Sequence, residues 1–227
     1  MRTNAYRHVM EVVSWEFGGG VGMLHRSEVE YRAEKEYKNK KNGFAFLLRE
    51  VLSNALHSCL LSQDCDRPHV TLDVTHDADK TDVLVSDNGE GFTDKNCKSF
   101  QVLDSLNAKK KEQHFFPRGQ GRLAIVYYTD YCQYDSTFRG EKGSVCQRTF
   151  TYPRSDPGLF DASECSESED EKIQTEVHMY CMSPQKRPRA KTFFDAHDSA
   201  QKLKKWILTN FMSFFLPSGE GAACGAK

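Results

Sequence analysis

The sequence has almost no net charge, because its 31 Lys and Arg residues and 32 Asp and Glu residues leave a formal charge of −1. No global field therefore attracts nucleic acid or a membrane surface, and an anionic ligand must be held by a local arrangement of groups. The longest apolar stretch, WILTNFMSFFL, is far shorter than the ~20 residues of a membrane span. We expect no membrane partner, and nucleic acid is not indicated.

Metal-type cysteine pairs and a secretory start are also absent. None of the 8 cysteines forms a C-x-x-C pair, so a zinc site has little support. The N-terminal segment carries Glu11 and Glu16 and lacks the apolar region of a secretory signal. We interpret the thiols as reduced and the protein as cytoplasmic. The composition, 38% hydrophobic and 28% charged, is typical of a soluble globular domain.

Two helices are predicted in the first third of the chain. A charged helix runs from Ser27 to near Asn42 and Gly43, a plausible C-cap. A second helix follows, with apolar residues at steps of three and four. Glu50, Asn54 and His57 lie off that apolar stripe, at i, i+4 and i+7, and form a polar stripe of their own.

An antiparallel hairpin comes next. HVTLDVTH alternates, TDVLVSD is a short buried run that stops at Asp87, and DADK is the turn between them. Three more β segments follow: YCQYDSTF, SVCQRTFTY and IQTEVHMYCM. The acidic run 164–171 is interpreted as a solvated loop and 183–191 as a basic linker. A final amphipathic helix is predicted to turn these residues inward: Leu203, Trp206, Ile207, Phe211, Phe214 and Phe215.

Three polar clusters stand in order along the chain. The first is Glu50 with Asn54 on a helix, the second follows a strand in SDNGEGF, and the third precedes a helix in RGQGRLAIV. Each pattern alone is commonly a solvated helix face, a turn or a loop. Their order and spacing make the combination far more specific than any one of them.

In this order, REVLSNALHS, SDNGEGF and RGQGRLAIV resemble the N-box, G1-box and G2-box of the GHKL ATPases. That superfamily includes gyrase B subunits, ninety-kilodalton heat-shock chaperones, histidine kinases, MutL and MORC proteins. The closest likeness is to chaperone-like or MORC-like ATP-binding proteins. The resemblance covers about residues 44–182. It implies a Bergerat fold: an α+β, two-layer α/β sandwich whose mixed, mostly antiparallel sheet is covered on one face by helices.

The resemblance implies ATP and Mg²⁺ as ligands. Magnesium takes hard oxygen ligands and is usually held by one or two side chains plus substrate phosphates, and Asn54 matches the family's magnesium-binding residue. Glu50, one helical turn earlier, matches the general base that activates water for attack on the γ-phosphate.

The adenine end is implied by the second motif. A carboxylate only accepts hydrogen bonds, and the adenine N6 amino group is a donor, so Asp87 is expected to bind the base. Thr175, in QTEV, aligns with the family's late Gly-Thr-x-Val strand, although Gln174 replaces the glycine. Gly89 and Gly91 are expected to permit positive φ and a close backbone approach to the nucleotide.

The phosphate end is implied by the third motif. Gly119 and Gly121 let the backbone fold over phosphates, and the helix that follows presents its positive end to the anion. Arg118, with Arg122 and the 109–111 lysines, is expected to add charge there. Residues 96–118 are the predicted ATP lid, a polar loop with few apolar anchors.

Two departures from the family pattern matter. His57 and Ser58 stand where the family often has Asp-Ala, and His57 is interpreted as a surface histidine. Hydrolytic relatives often take a lysine from a following transducer domain, and no such domain is visible; Lys186 and Lys191 are conceivable substitutes that nothing in the sequence positions.

The predicted layout has four parts: an N-terminal extension and helix (1–43), the ATP-binding domain (44–182, with lid 96–118 and acidic loop 156–172), a linker with the C-terminal helix (183–216) and a disordered tail (217–227). The expected function is slow Mg²⁺-dependent ATP hydrolysis in which lid closure drives conformational change or dimerisation.

A non-hydrolysing nucleotide-binding module and a histidine-kinase-like phosphotransfer module stay open as alternatives. So do a homodimer and a partner protein that supplies the transducer domain. The biological process is not fixed by this fold.

Overall fold

The computed structural model describes residues 26–40, 43–62, 65, 67–101, 121–141, 143–153, 165–169 and 171–215. Its helices are α1 (Arg26–Tyr37), α2 (Gly43–Leu61), α3 (Asp94–Gln101), α4 (Gly121–Tyr128), α5 (Arg187–Ala196) and α6 (Ala200–Phe215). Its strands are β1 (Val70–His76), β2 (Thr81–Asp87), β3 (Tyr131–Arg139), β4 (Val145–Tyr152), β5 (Ser166–Glu167) and β6 (Gln174–Cys181).

The strands form one open sheet in the order β1-β2-β6-β3-β4-β5. All five pairings in the described part of the chain are antiparallel. The predicted β1–β2 hairpin is confirmed, and its turn is held by the Asp77 carboxylate, which accepts the Asp79 and Lys80 amides at 2.8 and 2.9 Å. Part of the predicted acidic loop is instead the short strand β5, paired with β4.

Helices cover one face of this sheet. Strands β2, β3 and β6 bury every second residue, as alternation about a pleated strand requires. Against that face, α2 packs the apolar stripe predicted from its periodicity, in which Leu47 and Leu48 are fully buried. The structure is therefore an α+β two-layer sandwich, as predicted.

Helix α2 is also long and apolar enough to span a membrane by length and composition. A helix packed in the core of a folded domain has the same length and composition. Here α2 lies against β1 and β2 and the neighbouring helices.

The boundary between α1 and α2 differs from the prediction. Helix α1 ends at Tyr37, and Gly43 opens α2 instead of capping α1. A Cβ atom at Gly43 would lie 1.6 Å from the hydroxyl oxygen of Tyr128. Since that ring occupies the space of a side chain, glycine is required at this position for packing.

The predicted linker also differs from the structure. Helix α5 begins within it, at Arg187, and buries Ala190, Phe193 and Phe194 in the same apolar core as α1 and α2. A short break separates α5 from α6, where a single helix was predicted. Phe211 is buried, and three more of the predicted inward residues pack partly buried against the core: Leu203, Trp206 and Ile207. Residues 1–25 and 217–227, with the predicted extension and tail, lie outside the described residues.

Candidate functional site

The predicted base-binding carboxylate lies at the end of β2, under α2. Asp87 is 6% exposed, and its Oδ1 accepts the Gly89 amide at 2.9 Å. The Ser58 hydroxyl on α2 donates a second hydrogen bond to it. Burial raises the pKa of Asp87 to about 7, because the two neutral donors only partly offset the loss of water. A buried carboxyl group with so shifted a pKa is typical of functional sites.

A row of polar residues crosses four strands from Asp87. Asp87 on β2 lies opposite Thr175 on β6, Thr175 lies opposite Ser136 on β3, and Ser136 lies opposite Arg148 on β4. All four are buried on the helix-covered face. We refer to Asp87, Thr175, Ser136 and Arg148 as the polar row. The structure thus brings the two predicted base-binding residues, Asp87 and Thr175, side by side.

The polar row also holds the loop that follows Asp87. Ser136 Oγ accepts the Phe92 amide at 2.9 Å, and the Arg148 guanidinium donates to the Phe92 carbonyl. The same guanidinium pairs with Asp94 at 2.5 Å. Both backbone groups of Phe92 are therefore bound by neighbouring residues of one row, which fixes the loop against the sheet.

The two glycines of the second motif are needed for packing against protein. Gly91 has φ +71°, and a Cβ there would lie 2.8 Å from Ser136 Oγ. A Cβ at Gly89 would lie 2.3 Å from the Ser58 carbonyl carbon on α2. Of this pair only Gly91 has positive φ. The close approach expected toward a nucleotide is, at these two positions, an approach to α2 and β3.

The predicted general base lies at the start of α4. A Cβ at Gly121 would lie 3.0 Å from Glu50 Oε2, so the glutamate side chain packs on the first residue of that helix. Asn54 is exposed one turn further along α2, and Ser58 is one turn beyond it. At 1.5 Å per residue, Glu50 and Ser58 are about 12 Å apart along the helix axis.

The polar stripe of α2, extended by Ser58, therefore connects the second motif, at Asp87, with the third, at Gly121. Its Glu50 end meets the glycine that opens α4, and its Ser58 end meets Asp87. The exposed Asn54 lies between the two ends. The predicted general base and the predicted base-binding carboxylate therefore lie at opposite ends of the stripe, with the predicted metal ligand midway between them.

Most of the predicted lid, with Arg118, Gly119 and the 109–111 lysines, lies outside the described residues. The start of the lid is helical, as α3, and it is anchored: the Phe100 ring lies 5.5 Å from Phe92 and 5.4 Å from Tyr134. Arg122, expected near the phosphates, is buried and donates to the Phe100 carbonyl.

The two candidate substitute lysines lie elsewhere. Lys186 donates to the carbonyls of Val126 and Tyr127 at 2.7 and 2.8 Å, at the end of α4 away from Gly121. Lys191 pairs with Asp195 at 3.0 Å. Two cavities of about 440 Å³ also lie toward this end of α4, and neither is lined by a residue of the polar row.

Sequence reasoning missed Ser58, Ser136 and Arg148 as site residues. Ser58 had a signal, since it falls on the polar stripe at i+8 from Glu50. The other two had none, because the register that aligns β3 and β4 with Thr175 depends on pairing between distant strands.

No family model matches this chain, and no curated protein matches it in sequence. Among the described residues no group of three or more His, Cys, Asp or Glu side chains is arranged to hold a metal ion. A magnesium ion carried in by a nucleotide needs no such group, since one amide oxygen, phosphates and waters complete its octahedron. The exposed Asn54 fits that single-ligand role.

Proposed function

We propose that this chain is a GHKL-type ATP-binding protein with a Bergerat fold that binds ATP with Mg²⁺ and hydrolyses it slowly. The observation that carries the proposal is the polar stripe of α2, which joins Asp87 at one end to the start of α4 at the other. Asp87 and Gly121, more than thirty residues apart in the sequence, meet one helix face at points about 12 Å apart along its axis. That arrangement suits a ligand with a hydrogen-bonding base and an anionic tail.

At the base end, the ionised Asp87 carboxylate accepts a hydrogen bond from the adenine amino group, and Thr175 lies beside it. Because the carboxylate is buried and already held by Gly89 and Ser58, its direction is fixed before the ligand arrives. Fixed polar groups in a water-poor site lose little entropy on binding.

At the phosphate end, the amides that begin α4 and the positive end of its dipole attract the anion. Asn54 supplies an amide oxygen to the magnesium ion that accompanies the phosphates. The Glu50 carboxylate, packed on Gly121, is placed to accept a proton from a water molecule that attacks the γ-phosphorus.

A non-hydrolysing nucleotide-binding module is the second candidate. It is favoured by the position of Lys186, which is bound to carbonyls at the far end of α4 and so does not reach the phosphate end. Under this candidate a lysine from a partner or a second copy would be needed for turnover. We further propose a cytoplasmic location, in keeping with the free thiols of Cys59, Cys132, Cys146, Cys165 and Cys181.

The experiment that tests the proposal measures Mg²⁺–ATP binding by calorimetry and phosphate release in the same preparation. Wild type, Glu50→Gln and Glu176→Gln are compared; Glu176, on the opposite face of the sheet, is the control. We expect Glu50→Gln to bind ATP normally and to release phosphate at least 100-fold more slowly, within the ~10²–10⁴-fold range of general-base catalysis. Binding without turnover in wild type would select the second candidate, and absence of binding would refute both.

A further inference from the structure

Ser136 is the most buried hydroxyl of the polar row, at 1% exposed, and it has two contacts. Its Oγ accepts the Phe92 amide at 2.9 Å and lies 2.9 Å from Thr175 Oγ1. Both contacts are between protein atoms and are present without a bound ligand. The serine is therefore bound on one side to the loop after Asp87 and on the other to the proposed base-binding threonine.

The hydroxyl hydrogens of this pair can be counted. Each hydroxyl has one hydrogen and two acceptor sites, and the Ser136–Thr175 contact uses one of the two hydrogens. If Thr175 donates, the Ser136 oxygen accepts twice, and no acceptor for its own hydrogen is present among the hydrogen bonds of the described residues. Leaving a buried donor unpaired costs about 1–3 kcal/mol.

If Ser136 donates instead, the hydrogen left over belongs to Thr175. Thr175 is paired directly with Asp87 on one neighbouring strand and with Ser136 on the other. A carboxylate acceptor and a hydroxyl donor then belong to two directly paired residues. Adenine carries the complementary pair on one edge, its N6 amino donor beside its ring N1 acceptor.

We infer that Ser136 is a positioning residue for base recognition: it donates its hydrogen to Thr175 and so directs the Thr175 hydroxyl toward the ring N1 of a bound adenine. The inference rests on the proposed function. It adds Ser136, which does not contact the ligand, and assigns it one effect, the preference for nucleotides that carry the ring nitrogen N1. The preference for nucleotides that carry the 6-amino group is assigned to Asp87.

The experiment compares the dissociation constants of three nucleotides with Mg²⁺: ATP, 1-deaza-ATP, in which N1 is replaced by C–H, and purine riboside triphosphate, which lacks the 6-amino group. The proteins are wild type, Ser136→Ala and Thr137→Val. Thr137 is the matched control, because it is the next residue on β3 and its hydroxyl is bound on the other face of the sheet, to the carbonyl of Lys172 and the amide of Gln174.

We expect wild type and Thr137→Val to bind ATP about tenfold more tightly than 1-deaza-ATP, the value of one hydrogen bond. In Ser136→Ala this ratio falls to about one, while the preference for the 6-amino group is kept. A general loss of stability would lower the affinity for all three nucleotides together and leave the ratios of their dissociation constants unchanged.

If Ser136→Ala does not fold, Ser136→Cys replaces it, since a thiol of similar size donates only weakly. Suppose that wild type binds ATP and prefers it to purine riboside triphosphate, and that a Ser136 variant still binds ATP about tenfold more tightly than 1-deaza-ATP. This result would overturn the inference and leave the proposed function standing. If wild type binds none of the three nucleotides, the proposed function fails and the inference fails with it.

Discussion

Asp87 and Thr175 lie directly opposite each other on β2 and β6, both buried on the face of the sheet that the helices cover. Nearly 90 residues separate them in the chain. Buried polar side chains on a largely apolar sheet face are costly unless they are hydrogen-bonded. Among the described residues, the donors to the Asp87 carboxylate are the Gly89 amide and the Ser58 hydroxyl. We interpret this pair as the base end of a ligand site.

The raised pKa of Asp87 predicts how nucleotide affinity depends on pH. Only the ionised carboxylate accepts a hydrogen bond from an amino group, and with a pKa of about 7 its ionised fraction rises about tenfold between pH 6 and pH 8. The affinity of wild type for Mg²⁺–ATP should rise about tenfold over this range. Asp87→Asn, whose amide oxygen does not titrate, should show only the change due to ionisation of the nucleotide itself.

The same pKa predicts the pH dependence of folding. Because the folded-state pKa lies above the unfolded value near 3.9, the group adds stability below that value and loses it as the pH rises through about 7. Wild type should lose roughly 2–3 kcal/mol of unfolding free energy relative to Asp87→Asn between pH 5 and pH 8. Urea unfolding at both pH values measures this, and equal shifts in the two proteins would contradict it.

Two glycines with similar positive φ angles, Gly91 and Gly143, should respond differently to alanine. Gly91 (φ +71°) would place a Cβ 2.8 Å from Ser136 Oγ, whereas Gly143 (φ +83°) has nothing within 4 Å. Gly143→Ala should cost about 1 kcal/mol, from backbone strain alone. Gly91→Ala should cost at least 2 kcal/mol more, because the loop must move off the sheet. Similar unfolding free energies for the two variants would show that the contact with Ser136 is not tight.

The buried guanidinium of Arg148 should stabilise the loop after Asp87. Its removal in Arg148→Met leaves the Phe92 carbonyl without its donor and Asp94 without its ion-pair partner. We expect a loss of about 1–3 kcal/mol, the cost of leaving a buried acceptor unsatisfied, because Asp94 is 55% exposed and is solvated once the arginine is removed. Arg49→Met, at an exposed position on α2, should change stability by less than about 0.5 kcal/mol. Thermal unfolding distinguishes the two, and equal shifts would contradict the assigned role of Arg148.

Local patterns in the sequence predicted most of the elements. Alternation predicted β1, a short buried run predicted β2, the residues DADK predicted their turn, and the apolar period predicted α2, because each pattern arises from the geometry of a single element. The boundary at Gly43 was predicted incorrectly, since the glycine is required by a ring from α4, more than 80 residues away. Residues 183–191 were predicted to be a linker from their charges and prolines, whereas α5 begins among them at Arg187, because Ala190, Phe193 and Phe194 pack in the core.

The site was predictable where it lies on one helix. Glu50 and Asn54 share a face by their spacing alone, and Ser58 continues it. The polar row was not predictable, because the sequence does not state which residue of β3 lies opposite Thr175, and a shift of one residue would turn Ser136 to the other face. Arg148, a buried cation, has no sequence signal that separates it from an exposed one.

The most direct test of the central claim is the dissociation constant of Mg²⁺–ATP for wild type, Asp87→Asn and Asp82→Asn at pH 8. Asp82 is the control, because it lies on the same strand but on the other face, where it pairs with Lys80. Loss of a charged hydrogen-bond acceptor should weaken binding about 10- to 100-fold in Asp87→Asn, with Asp82→Asn close to wild type. No detectable binding by wild type, or equal affinities for all three proteins, would contradict the account.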